Sequence, residues 1–144
     1  MITRVTHSPE ETEQLAATVA HMARPGDLIV LVGGLGAGKT RFVRGFVTAT
    51  GSSEQATSPT FALVHNYEGP TPIVHADLYR LVSEHEVLDL GLDESLADGA
   101  IVLVEWGDLA ETLLRPDRLT VTITDVDETS RRFDFDGWAD RWTT

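Results

Sequence analysis

The stretch Gly33-Gly34-Leu35-Gly36-Ala37-Gly38-Lys39-Thr40 constrains this chain more than any other. It matches G-x-x-x-x-G-K-[ST] in full. It stands between an apolar run, Leu28-Ile29-Val30-Leu31-Val32, and a helical stretch read from Thr40 to Thr50 with Gly51 as its stop. Glycines at these spacings let the backbone curl so that its N–H groups face an anion. The start of the following helix adds a partial positive charge at the same place. Lys39 then reaches the outer phosphates of a nucleotide, and the Thr40 hydroxyl is a ligand for Mg²⁺. The alternative is a glycine-rich strand-to-helix turn that binds nothing. One detail of composition weighs against it. Lys39 is the only lysine, the other basic residues all being arginine. That also bears on the base, because the guanine-reading N-K-x-D motif needs a second lysine. Adenine is favoured.

The rest of the chain supplies the sandwich that such a loop requires. A short strand is expected at Ile2 to Thr6. A helix follows from Ser8-Pro9-Glu10-Glu11, with Ser8 as cap, Pro9 at the first position and Glu11 completing a capping box; Pro25-Gly26 ends it. The polar stretch Ser52–Pro59 reads as a loop, Thr60 to Tyr67 as a strand, and Ile73 to Tyr79 as another. A capping box of Ser83 with Glu86 opens a short helix ending near Gly91. Ile101-Val102-Leu103-Val104 is a second continuous apolar run, of the kind covered on both faces. A short helix is expected from Asp108 to Leu114. Leu119 to Thr124 and Phe133 to Phe135 alternate about the turn Asp127-Glu128-Thr129-Ser130, which predicts a terminal hairpin. With 144 residues and no repeat or linker, the expectation is one domain over residues 1–144. Its class is α/β: a P-loop NTPase-like three-layer sandwich with a mainly parallel sheet and a C-terminal β-hairpin.

A P-loop site needs a second hard oxygen for its cation, usually at the end of an apolar strand. Glu105 follows Val104 directly and takes that role; otherwise it is a surface acid at a strand end. In His75-Ala76-Asp77-Leu78-Tyr79, alternation sets His75, Asp77 and Tyr79 on one strand face and Val74, Ala76 and Leu78 on the other. Asp77 then binds Mg²⁺ directly or through water, or orients the attacking water. The bland reading is a polar face turned to solvent. In Ser58-Pro59-Thr60-Phe61, Thr60 is the candidate switch hydroxyl near the γ-phosphate, against a loop Thr that merely caps its own backbone. Trp106 is equally a stacking or a packing residue, and Arg80 a phosphate contact or a salt-bridge partner. The net charge of −12 disfavours independent nucleic-acid binding. There is no cysteine for disulfides or thiolate metal sites, no run long enough to span a membrane, and no apolar leader. A cytoplasmic protein is the default expectation.

GGLGAGKT, SPTF, HADLYRL and LVEW, in this order and within this length, resemble the bacterial TsaE (YjeE) family, the ATPase components of tRNA threonylcarbamoyladenosine biosynthesis. SPEET, PGDLIVLVGGLGAGKTRFVRGF and LGLDE fit as well, so the resemblance covers nearly the whole chain. It implies ATP or ADP with Mg²⁺, weak intrinsic ATPase activity, and work with the proteins TsaD and TsaB on the adenosine beside the tRNA anticodon. tRNA is then met only through the complex. By similarity Gly36 to Thr40 hold the phosphates, within a binding stretch that also takes in Gly33, Gly34 and Leu35. Thr40 and Glu105 bind Mg²⁺, Asp77 belongs to the site, and Thr60 lies on the switch loop. Thr12 and Arg131 match family positions near the nucleotide. Two residues depart from the pattern: Gly34 stands where the family usually has Asp, and Ala76 where it often has an aromatic. Two other functions fit the same motifs: a small-molecule or nucleoside kinase with Asp77 as acceptor base, and a nucleotide-gated adaptor that does not hydrolyse.

Overall fold

The computed structural model describes residues 1–33, 37–52, 64–77, 91–105 and 117–142. Within them the chain runs β1 (Ile2–Thr6), α1 (Pro9–Met22), β2 (Leu28–Val32), α2 (Ala37–Ala49), β3 (Val64–Tyr67), β4 (Ile73–Asp77), α3 (Leu92–Ala97), β5 (Ile101–Glu105), β6 (Leu119–Asp125) and β7 (Arg131–Asp136). The strands form one 7-stranded sheet in the order β1-β7-β6-β2-β5-β4-β3. Its centre, β6-β2-β5-β4, is parallel throughout. Both flanks are antiparallel: β7 and β1 on one side, β3 on the other. The expected α/β sandwich and terminal hairpin are therefore present, with a mixed sheet whose parallel part is its core.

The two strands that read as continuous apolar runs, β2 and β5, are covered on both faces, and β4 beside them is buried to the same degree as β2. Ile29, Leu31, Ile101 and Leu103 face α1 and α2 through Ala16, Val19, Phe42 and Phe46. Leu28, Val30, Val102 and Val104 face the opposite way onto Leu92 and Leu96 of α3. Two separate apolar clusters with the sheet between them make the three layers. The hairpin closes the first cluster, where Phe133 stacks on Phe42 at 5.9 Å between ring centroids.

The Ser8 hydroxyl accepts from the Glu11 N–H at 3.1 Å and starts α1 where expected. The return contact differs from a regular capping box: Glu11 Oε1 accepts from the His7 N–H at 3.2 Å, one residue upstream of the cap. α1 stops at Met22, before Pro25-Gly26. α2 begins at Ala37 and not Thr40, so Gly38, Lys39 and Thr40 already lie in its first turn. Glycine carries a low helix propensity, which hides this start in the sequence. α3 was not anticipated: its N-cap is Gly91 in the left-handed region, with no side-chain cap bond, so the usual start signal is missing. In the β6–β7 turn, Asp127 Oδ1 accepts from the Thr129 and Ser130 N–H groups at 2.9 and 2.8 Å. These bonds hold the Asp127 carboxyl below the ordinary aspartate range. The expected helices from Ser83 and from Asp108 to Leu114 lie outside the described residues, as do the 60–63 and 78–79 ends of the expected strands. Among the described residues no helix is long and apolar enough to cross a membrane.

Candidate functional site at the carboxyl end of the parallel strands

Three parallel strand ends meet at one place. β2 runs out through Val32 into Gly33, the first residue of the glycine loop. On the neighbouring β5, Glu105 is the register partner of Leu31. On the next strand, Asp77 is the register partner of Glu105. Loop entry, Glu105 and Asp77 thus lie abreast at the carboxyl edge of the sheet, where open α/β sheets bind ligands. Period-2 alternation from Leu103 puts Glu105 on the α1/α2 face, the face over which α2 carries Lys39 and Thr40.

Lys39 is 5% exposed, and its Nζ donates to the Gly33 carbonyl at 3.4 Å. The side chain therefore folds back over the loop instead of reaching into solvent. Gly33 itself admits no side chain: a Cβ there would lie 2.7 Å from the Ile123 carbonyl of β6. At Gly38 a Cβ would meet Ile123 Cγ2 at 3.2 Å and Arg131 Cδ at 3.7 Å. The first motif glycine is thus also required by the hairpin behind it, while a methyl at Gly38 would need only a shift of a few tenths of an ångström in the Ile123 side chain. Gly34, Leu35 and Gly36 lie outside the described residues, as does the side chain of Ala37.

Glu105 is 6% exposed, and its Oε2 lies 2.9 Å from His75 Nε2. A carboxylate only accepts, so Nε2 carries the hydrogen. His75 is 1% exposed, which removes the reading of this strand face as a solvated polar side. Asp77, two residues on, is half-buried. Val74 and Ala76 belong to the α3-side cluster, as alternation requires. The Ala76 departure from the family pattern is therefore a packing change away from Glu105. Thr60, Tyr79, Arg80 and Trp106 lie outside the described residues.

Among the described residues no group of three His, Cys, Asp or Glu converges on one point. The donor set at this edge is instead a hydroxyl, Thr40, and the carboxylates Glu105 and Asp77. Hard oxygens in that number fit Mg²⁺, which usually takes one or two carboxylates and completes its shell with water and substrate phosphates.

A cavity of about 420 Å³ opens beside the first turn of α2, lined by His7, Ser8, Thr12, Gly38, Arg41 and Arg131 among others. It brings together residues from the start of α1, the start of α2 and the β6–β7 hairpin. Thr12 is 2% exposed and shares a 2.7 Å hydrogen bond with the Thr6 hydroxyl. Arg131 is anchored by its Nε to Asp125 at 2.9 Å and by donation to the Asp127 and Ser130 carbonyls. His7 Nδ1 lies 2.9 Å from Ser130 Oγ and ties α1's entry to the hairpin turn. Thr12, Gly38 and Arg131 thus share one wall. His7 and Arg41 were not among the candidates, nor was His75 as the partner of Glu105. Nothing in the spacing marks His7 or Arg41, and the strand pattern sets His75 beside Asp77 and not beside Glu105, a contact made only by the fold.

Known proteins resemble this chain in sequence and in fold. The family model described as threonylcarbamoyl adenosine biosynthesis protein TsaE matches residues 6–133. The protein named tRNA threonylcarbamoyladenosine biosynthesis protein TsaE from Bacillus subtilis is 40% identical over 138 residues, covering 95% of this chain and 86% of its own length. The protein of that name from Streptomyces coelicolor is also 40% identical, covering 91% of this chain and 93% of its own. The crystal structure of Bacillus subtilis YdiB superposes with a TM-score of 0.78 at 35% identity, covering 97% of this chain and 87% of that one.

Proposed function

The chain belongs to the TsaE family of threonylcarbamoyl adenosine biosynthesis proteins, and from that premise we propose that it is the ATP-hydrolysing component of tRNA threonylcarbamoyladenosine synthesis. As a member of that family it is a P-loop-type nucleotide-binding protein in this tRNA modification. The finer proposal has three parts. It binds ATP or ADP with Mg²⁺. It hydrolyses ATP slowly alone. It turns over faster when docked on TsaD and TsaB in the cytoplasm.

One observation carries the reading. The central strand β2 opens into the loop at Gly33 with Lys39 folded over it, while Glu105 stands in register on the adjacent strand. The loop's N–H groups and Lys39 hold the phosphates. Thr40 and Glu105 hold Mg²⁺, with Asp77 next to Glu105 to bind it through water or to orient the attacking water. The chemistry Mg²⁺ supplies there is neutralisation of charge on the phosphate oxygens. The cavity walled by Thr12, Gly38 and Arg131 takes the nucleoside end. Small P-loop proteins that lack a supplied stabilising charge hydrolyse slowly, and a partner that orders the switch segment and excludes water completes such a site. With a net charge of −12, the chain meets tRNA through its partners and not by its own surface.

The test is steady-state phosphate release with and without TsaB and TsaD, beside calorimetric ATP binding. Slow release alone and faster release with the partners are expected. Asp77→Ala and Thr60→Ala should keep ATP binding and lose most of the stimulation. Full stimulation in both variants would remove these residues from the mechanism. Absence of ATP binding by the wild-type chain would end the reading.

A further inference from the structure

Glu105 is the last residue of its strand, and a glutamate there has three rotatable bonds with which to miss a cation. Something has to hold it. Across the parallel pair, His75 is the register partner of Leu103 and Asp77 that of Glu105. The His75 ring therefore starts one pleat behind Glu105 on the same face and leans forward along the strands to reach it. It does so at 2.9 Å, with both residues buried. The other ring nitrogen, Nδ1, is buried and has no hydrogen-bond partner among the described residues. A structural histidine in a core ordinarily satisfies both nitrogens. Among the described residues the one bond made is to the carboxylate, and Nδ1 makes none.

We infer that His75 is a positioning residue for the metal-binding carboxylate. Its Nε2–H occupies Glu105 Oε2, fixes the carboxylate plane, and leaves Oε1 as the oxygen free to meet a cation beside Thr40. The inference rests on the reading of Glu105 as a Mg²⁺ ligand. Carboxylates that ligate metals are commonly held in this way by a second hydrogen bond, and loss of such a bond typically weakens metal binding by about 10–100-fold. His75 thus acts on metal affinity without touching metal or nucleotide.

The test compares His75→Gln with His75→Asn. The Gln amide places an N–H near the position of Nε2, whereas the Asn amide reaches only to that of Nδ1 and cannot touch Glu105. Mg²⁺ is titrated against each protein with ADP bound, and ADP affinity is measured separately in chelator. Thermal melts report whether each variant is folded. Asn should lose about 10-fold or more in Mg²⁺ affinity. Gln should retain most of it, and metal-free ADP binding should be unchanged in both. Glu105→Gln serves as the reference. If it loses Mg²⁺ affinity while His75→Asn keeps it, the positioning role is overturned and the reading of Glu105 stands. If Glu105→Gln itself keeps wild-type Mg²⁺ affinity, the metal assignment fails, and the positioning role with it. In the unaltered protein, imidazole nitrogen NMR gives an answer that does not depend on how the variants fold. The hydrogen of His75 should reside on Nε2 in the free and the Mg²⁺–ADP-bound states, and a ring protonated on Nδ1 alone overturns the proposal.

Discussion

Replacing Lys39 by Met should separate ligand binding from folding. Met keeps most of the aliphatic stem and removes only the charge and its donors. In the free protein the lysine is 5% exposed, and among the described residues its one hydrogen bond is a long 3.4 Å contact to the Gly33 carbonyl. Losing such a bond costs about 0.5–1.5 kcal/mol, while relieving a buried polar group returns about 1–3 kcal/mol. The two nearly offset each other, so the melting temperature of the free protein should move by no more than roughly 4 °C. With nucleotide the balance differs. Two charge-assisted bonds to phosphate oxygens, at about 1.5–3 kcal/mol each, amount to about 3–6 kcal/mol, or roughly 10²–10⁴-fold in affinity. At a ligand concentration about 1,000 times the wild-type Kd, binding stabilises the wild type by about 4.1 kcal/mol. A variant weakened about 1,000-fold would gain only about 0.4 kcal/mol. At roughly 4 °C per kcal/mol for a domain of this size, that is a shift of about 16 °C against about 2 °C. Paired melts with and without MgATP, beside calorimetry, measure both quantities. Wild-type stabilisation by MgATP in the variant would refute the phosphate role. A fall of about 10 °C or more in the free protein would show that the ammonium holds the fold.

Two further outcomes follow from the geometry outside the loop. Gly45→Ala should destabilise the protein by about 1–2 kcal/mol even though alanine favours a helix by about 1 kcal/mol, because overpacking costs more. Its Cβ would stand 2.5 Å from the Glu13 carbonyl and 2.7 Å from Glu13 Cα, and backbone cannot rotate away. A raised melting temperature would show that α1 yields freely. Asp127 titrates below its ordinary 3.8 because the Thr129 and Ser130 N–H groups favour its charged form. Its contribution is therefore complete above that ordinary value and is lost as pH falls through the lowered one. The stability difference between wild type and Asp127→Asn should be constant near neutrality and shrink below about pH 4; a difference independent of pH would contradict the role of these bonds.

The lesson for reading such chains lies in which features were local. Gly33 to Thr40 stands out because the pattern G-x-x-x-x-G-K-[ST] is contiguous, and its described end, Gly38 to Thr40, lies in the first turn of α2. The Ser8 cap and the Asp127 turn are legible for the same reason, since each is closed within three residues. Glu105 is legible as the acid ending an apolar run. The start of α2 at Ala37 was hidden because glycines that serve the loop also weaken the helix signal.

Sequence alone thus determined the glycine motif, the two central strands, the hairpin and a list of candidate groups for chemistry. Tertiary structure decided which of them meet. The pairing of His75 with Glu105 depends on the register of two parallel strands joined through a crossover. That register is set by how β4, β5 and α3 pack, not by any neighbouring residue. The shared wall of Thr12, Gly38 and Arg131 likewise exists only because α1, α2 and the hairpin close over one apolar cluster. Contacts made within a turn are written in the spacing of residues; contacts made across layers are fixed by packing, which spacing does not record.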